Sequence, residues 1–211
     1  MTTIATLREK LDLLRSVETQ RRFGTVIGPG VELAPIPALP AGTTEVFSLS
    51  DRLEGNYLLF KPPSSIRTPT AWRERTSDNF ALGEALVVGA EIFSNPEFLP
   101  GEDESGEDES GEDTMGYGGA PIRMSLADGH VYYIDPEDYV FLYKNPDADN
   151  VEVEVLAPDL MTFLDRYVLG DQYPRLVEVV LSPEVAEQRH RKTGDYVDSW
   201  RRLLIAAGLA A

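Results

Sequence analysis

The sequence predicts an α+β fold: one domain, with a largely antiparallel mixed sheet packed by N-terminal and C-terminal helices and interrupted by a disordered acidic loop. Three observations predict it. Residues 121–134 read as two strands about a turn: PIRMSL alternates, Ala127-Asp128-Gly129 reverses the chain, and Val131-Tyr132-Tyr133-Ile134 is β-branched and aromatic. Both ends of the chain carry apolar residues at helical spacing. Residues 101–113 read GEDESGEDESGED, with nothing apolar to offset the entropy of ordering them. A length of 211 residues and 42% hydrophobic content suit one well-filled core, so 1–211 is read as a single domain with 101–113 inserted in it.

Near the N-terminus Ile4, Leu7, Leu11, Leu14 and Val17 make one helical stripe, with Thr3 or Thr6 as its cap and Gly24 as its stop. Its other face mixes Arg8, Glu9, Lys10, Asp12, Arg15 and Glu18, as a solvated helix surface does. Val26 and Ile27 suit a short strand. Residues 28–42 are too rich in proline and glycine for a helix, and Gly28-Pro29-Gly30 lacks the third glycine of a dinucleotide fingerprint. Residues 45–49 and 56–60 read as a strand pair joined around Leu53-Glu54-Gly55, stopped by Lys61-Pro62-Pro63. Residues 64–80 are polar and turn-rich. Within them Trp72 stands beside Arg67, Arg73 and Arg75, either as an exposed binding anchor or as a packed indole. Ala85-Leu86-Val87-Val88-Gly89 suits a buried strand.

After 121–134 the chain breaks at Asp135-Pro136-Glu137-Asp138 and resumes a strand at 139–143. Val151, Val153 and Val155 then alternate with Glu152 and Glu154, which predicts a buried valine face and a wet glutamate face. A helix follows, with Pro158 in its first turn, Leu160, Phe163, Leu164, Tyr167 and Val168 on one side, and Gly170 at its end. The run from Leu176 to Leu181 suits helix or strand equally. Ser182-Pro183-Glu184 starts a helix running to Arg191. Asp195 is the expected cap of the last helix, whose apolar face is Val197, Trp200, Leu203, Leu204 and Ala207, with Arg201 and Arg202 outside it.

Composition removes several chemistries. Without cysteine there are no disulfides, zinc-thiolate sites or thiol nucleophiles. The two histidines lack a catalytic or metal-binding frame: His130 follows a turn, and His190 lies in a charged run. No cofactor fingerprint is present. As an EF-hand loop the acidic tract fails, because Gly106 and Glu112 in register put Gly101 at the first ligand position; only loose divalent association remains. Asp135, Glu137 and Asp138 suggest carboxylate acid–base work, but a turn in an acidic chain has the same composition without catalysis. No apolar run is long enough for a membrane span, and MTTIATLREKLDLL carries charges where a signal peptide is apolar, so the expected location is the cytoplasm.

Charge speaks about partners. With 36 acidic and 19 basic residues the net charge is −17, which disfavours nucleic acid and anionic membrane and favours a basic protein. The tract contributes Glu102, Asp103, Glu104, Glu107, Asp108, Glu109, Glu112 and Asp113, yet the remainder of the chain is acidic as well. These eight, with Trp72, Asp135, Glu137 and Asp138, are the candidate partner-binding residues. Stretched out, the tract would reach roughly 43–47 Å; as a coil it would span about 20 Å.

Val131-Tyr132-Tyr133-Ile134-Asp135, followed by Phe163-Leu164-Asp165-Arg166-Tyr167-Val168-Leu169-Gly170, resembles the SUKH superfamily, whose sheet strand precedes a further strand and a closing helix of this kind. Leu86-Val87-Val88-Gly89-Ala90 is similar to the family's central strand, and Trp200-Arg201-Arg202-Leu203-Leu204 to the tail of some bacterial members. The resemblance covers roughly the last 125 residues outside the tract; Leu39-Pro40 lacks the Asn-Gly-Gly entry usual after it. It implies a non-enzymatic α+β domain without cofactors, commonly a bacterial immunity protein that binds and neutralises a polymorphic toxin, often a nuclease. Two other readings stay open: a regulatory or scaffold module for a basic protein or peptide, and an enzyme using the carboxylates near Asp135.

Overall fold

Capping and apolar spacing act first at the N-terminus. The computed structural model describes residues 2–62, 77–79, 83–92, 121–135 and 153–211. Helix α1 (Ile4–Arg21) starts where Thr3, in extended backbone, accepts the Thr6 amide on its hydroxyl at 3.1 Å. Leu7, Leu11 and Leu14 are completely buried along one side. The helix stops at Arg22, which turns left-handed at φ 57°, two residues before the glycine expected to end it. Glu18 secures the exit by accepting from the Phe23 and Gly24 amides and the Thr25 hydroxyl.

Strand β1 (Val26–Ile27) follows, then the connector 28–42, which buries Ile36 and Leu39 and satisfies its backbone against 48–52 through Val31 N–H to Ser48 O and Asp51 N–H to Pro29 O. The strand expected at 45–49 is instead helix α2 (Thr43–Phe47). Thr43, Val46 and Phe47 are buried together, and three residues at i, i+3 and i+4 share a helical face where alternate strand positions would not. The strand pair is therefore β2 (Leu53–Glu54) with β3 (Leu58–Phe60), closed by the Gly55 amide on Leu58 O.

The polar stretch 64–80 contributes a strand, β4 (Ser77–Asn79), before the long β5 (Gly83–Glu91). Then come β6 (Pro121–Ser125), β7 (Val131–Tyr133) and β8 (Glu154–Ala157). These eight strands, among the described residues, form one sheet in the order β1-β2-β3-β5-β6-β7-β8, with β4 beside β3 along the same edge of β5. Every pairing is antiparallel.

Burial on β8 reverses the expected valine face. Val155 is 59% exposed while Leu156 and Ala157 are buried. A bulge explains it: Val131 pairs with Ala157 but Tyr132 with Val155, so Leu156 is the extra residue and the alternation is broken.

Four helical segments close the fold. Helix α3 (Leu160–Phe163) is capped by Asp159, whose carboxylate accepts the Thr162 amide at 2.6 Å, which leaves Pro158 outside the first turn. It widens into a π turn over Leu164–Val168. The ambiguous run from Leu176 is helix α4 (Tyr173–Val180), with proline in its first turn. Helix α5 (Pro183–Ala186), capped by Ser182 as expected, ends well before Arg191; the chain then forms a hairpin bridged between Arg189 and Tyr196. Helix α6 (Ser199–Ala206) is capped by Asp198, not Asp195.

The helices share one face of the sheet. Leu58, Phe60, Leu86, Val88, Ile122, Met124, Val131 and Tyr133 form one core with the apolar faces of the six helices among the described residues, while Ala85, Tyr132 and Ile134 form a separate cluster. This segregation of helices against an antiparallel sheet is the α+β architecture. Among the described residues no helix is long and apolar enough to cross a membrane.

Candidate functional site

Strand direction gathers acidic residues that are far apart in sequence. Leu58 pairs with Glu91, Ala90 with Pro121, Ile122 with Tyr133, and Tyr133 with Glu154, so β3, β5, β6, β7 and β8 all have a terminus at one end of the sheet. The chain leaves this end after Ile92, whose amide is held by Tyr57 O at 2.8 Å, and re-enters it at Pro121. It leaves again after the exposed Asp135 and returns at β8.

The connection carrying the acidic tract and the one carrying Glu137 and Asp138 are thus rooted side by side. Glu137, Asp138 and the eight carboxylates of 102–113 lie outside the described residues, as do Trp72 and the strand expected at 139–143. Trp72 belongs to a different connection, one that enters β4 at Ser77, which pairs with Ala85 toward the other end of β5.

Electrostatics reports the same gathering. The Tyr133 phenol is pushed up first by burial and then by Asp135 and Glu91, with Arg123 opposing, so a carboxylate just past β7 and one at the end of β5 act on one ring. The hydroxyl stays protonated and donates to Val180 O at 3.3 Å. At β8 Arg175 bridges Glu154 at 3.1 Å and Glu178 at 3.4 Å.

Nothing described assembles catalytic machinery around Asp135. A half-open gap lined by Leu11, Phe47, Leu49, Phe60, Phe163 and Leu164, with Ser50 and Lys61 as its polar lining, contains no carboxylate. Its volume, about 30 Å³, admits a water molecule or two. Among the described residues no three His, Asp or Glu side chains are grouped to hold a metal ion. His130 has a local role: its Nδ1 lies 2.6 Å from Asp128 Oδ1 across the β6–β7 turn, and His190 is exposed on the hairpin.

A second polar assembly was not foreseen. Arg201, expected outside the apolar face of α6, is only 6% exposed. Its guanidinium donates to Ala186 O at 2.7 Å, Glu187 Oε1 at 2.9 Å and Tyr196 Oη at 2.9 Å. Arg189 and Arg201 both stack on the Tyr196 ring, 3.8 and 3.6 Å from its centroid. Asn56 and Ser199 exchange reciprocal bonds, Asn56 N–H to Ser199 Oγ and Ser199 N–H to Asn56 Oδ1, and Tyr57 Oη donates to Gln188 Oε1 at 2.9 Å.

At the centre lies Asp198, 1% exposed, accepting the Trp200 and Arg201 amides on Oδ1. The available signal was its position directly before Ser199-Trp200, with Asp195 too close to Gly194 and its left-handed turn at φ 76°. No family model, no curated protein and no solved structure matches this chain.

Proposed function

We propose that this chain is a non-enzymatic cytoplasmic protein-binding domain, an immunity protein that neutralises a basic, nuclease-type toxin by direct binding, as its SUKH-like motifs imply. The observation that carries the reading is the common root of its two acidic connections, beside Glu91, Asp135 and Glu154 at one end of the sheet. A nuclease must present cations to phosphate, and a surface concentrating carboxylates at one end meets that patch in a favoured orientation. The net charge of −17 adds long-range attraction. Such attraction sets association rate and selectivity, while tight affinity requires a buried anchor in addition.

The decisive experiment is co-expression with nuclease toxins encoded beside the gene, scored for survival and for capture of the toxin. Survival with a captured complex supports the reading, and a panel in which no toxin is bound or neutralised overturns it. Recovery of a basic partner that is not a toxin would favour the regulatory-module alternative.

Replacing 101–113 by a short Gly-Ser linker is expected to lower the association rate about tenfold or more at low salt and to flatten its salt dependence, with little change in dissociation. Thermal stability of the linker variant should match the parent. Stopped-flow association at two ionic strengths and a melting curve check both halves.

A further inference from the structure

One stretch of this acidic chain runs against its charge. Residues 189–192 read Arg-His-Arg-Lys, and no other window of four residues holds three lysines or arginines. All four are exposed, at the tip of the hairpin that joins α5 to α6. Among the described residues none of these three cations pairs with a carboxylate, since Glu187 at the hairpin base is taken by Arg201 at 2.9 Å. Asp195, on the returning arm, is the single acid between 189 and 195.

The tip is held in one shape instead of spreading its charges. Val197 N–H donates to Gln188 O at 3.0 Å, His190 N–H to Asp195 O at 2.8 Å and Gly194 N–H to His190 O at 2.9 Å. The Arg189 guanidinium lies over the Tyr196 ring, on which Arg201 also stacks, and donates from Nη1 to Gly194 O at 3.0 Å. Its other donors, with those of Arg191 and Lys192, have no acceptor among the described residues. Three like charges fixed within four residues repel one another, and a bound anion relieves that repulsion.

The hairpin base is fastened where the acidic connection departs. Tyr57 links the two: its hydroxyl donates to Gln188 Oε1 at 2.9 Å, and its carbonyl accepts the Ile92 amide at 2.8 Å. Asn56 Nδ2 adds a bond to Val197 O at 3.3 Å. From this shared anchor the hairpin extends about four residues, roughly 13 Å. The stretch 93–100, which leads from Ile92 to the acidic tract, reaches roughly 26–29 Å when extended.

We infer that the hairpin tip is a carboxylate-binding site whose ligand is the acidic tract 101–113 of the same chain. That sequence carries eight carboxylates, and arginine presents paired N–H donors that match a carboxylate's two oxygens. Nucleic acid or an anionic membrane would approach against a net charge of −17, whereas a tethered segment is already present at an effective concentration of about 1 mM. A basic partner must then compete with the hairpin for the tract. Weakly cationic proteins lose that competition, so the contact raises selectivity whatever the partner is.

Exposed ion pairs add little to folding stability, so binding measures the contact and melting does not. The test is fluorescence anisotropy of a labelled GEDESGEDESGED peptide at low salt, with the full chain and with the chain carrying a Gly-Ser linker in place of 101–113. The linker chain is expected to bind the peptide, less tightly as salt rises. For a site with Kd about 100 µM, the tethered tract makes the full chain bind about tenfold more weakly. Arg191→Gln with Lys192→Gln, which leaves the Tyr196 stack intact, should abolish binding by the linker chain. Arg8→Gln with Arg21→Gln removes the same charge elsewhere on the surface and should leave binding within about twofold. A linker chain that ignores the peptide, a full chain that binds it equally well, or a hairpin variant that still binds it would overturn the site. Salt-sensitive dimers of the full chain in sedimentation would overturn the intramolecular contact, because the tract would then occupy the hairpin of a second copy.

Discussion

Trp200→Ala is expected to cost about 5 kcal/mol of folding stability, the largest effect of any single side-chain truncation in the C-terminal half. Trp200 is 1% exposed and among the largest fully buried side chains. Two terms add. Removing an indole from a packed interior costs about 3–5 kcal/mol through lost transfer energy and the cavity left behind. Its Nε1–H also donates to Val168 O at 2.8 Å, a bond worth about 1 kcal/mol.

The backbone around Trp200 is itself closely packed: a methyl group on Gly55 would approach the Trp200 Cβ to 2.8 Å and its amide nitrogen to 3.3 Å. Since domains of this size are stable by about 5–15 kcal/mol, the variant would sit near the folding threshold at 25 °C. Trp200→Phe keeps most of the packing and loses the hydrogen bond, for an expected cost of about 2 kcal/mol. Urea unfolding of the two variants checks the partition; equal losses would show that the hydrogen bond, not the volume, dominates.

Gly170→Ala is expected to cost about 3 kcal/mol, more than alanine at any glycine with open space around it. An added Cβ would meet Asp165 O at 2.5 Å, Arg166 O at 3.0 Å and Arg166 Cα at 3.1 Å, all backbone atoms with no flexible end to give way. The π turn brings these carbonyls close: Leu169 N–H reaches back to Leu164 O, and Gln172 N–H to Arg166 O.

Displacing Asp165 O also disturbs a tie to the N-terminal helix, since Lys10 Nζ donates to that oxygen at 2.9 Å and pairs with the Asp165 carboxylate at 2.7 Å. Gly194→Ala is the control. Its φ is +76° but nothing lies within 4 Å of an added Cβ, so only the left-handed strain of about 1–2 kcal/mol applies. A Gly170→Ala loss no greater than that of Gly194→Ala would show that the turn relaxes.

Sequence reasoning worked where one local rule acts alone. Thr3 and the stripe of Leu7, Leu11 and Leu14 define α1, because a capping hydroxyl and a 3.6-residue period are local properties. Ser182-Pro183 likewise marks the start of α5, and the β6–β7 hairpin lies where alternation and the turn at Gly129 put it. Residues 45–49 failed because a short apolar run has no decisive period; the helical trio includes Thr43, a polar residue buried 81 positions away from the Met124 sulfur its hydroxyl touches.

By itself, then, the sequence determined the α+β class, the helix at each end, the central hairpin, and an excess of carboxylates over cations. Tertiary structure decided three things. It chose the β8 bulge that exposes Val155, since register depends on the neighbouring strand. It buried Asp198 and Arg201, because the burial of a polar residue depends on which partners the fold delivers to it. Finally, it rooted two acidic connections at one end of the sheet, since antiparallel pairing, not sequence distance, determines which strand ends are neighbours.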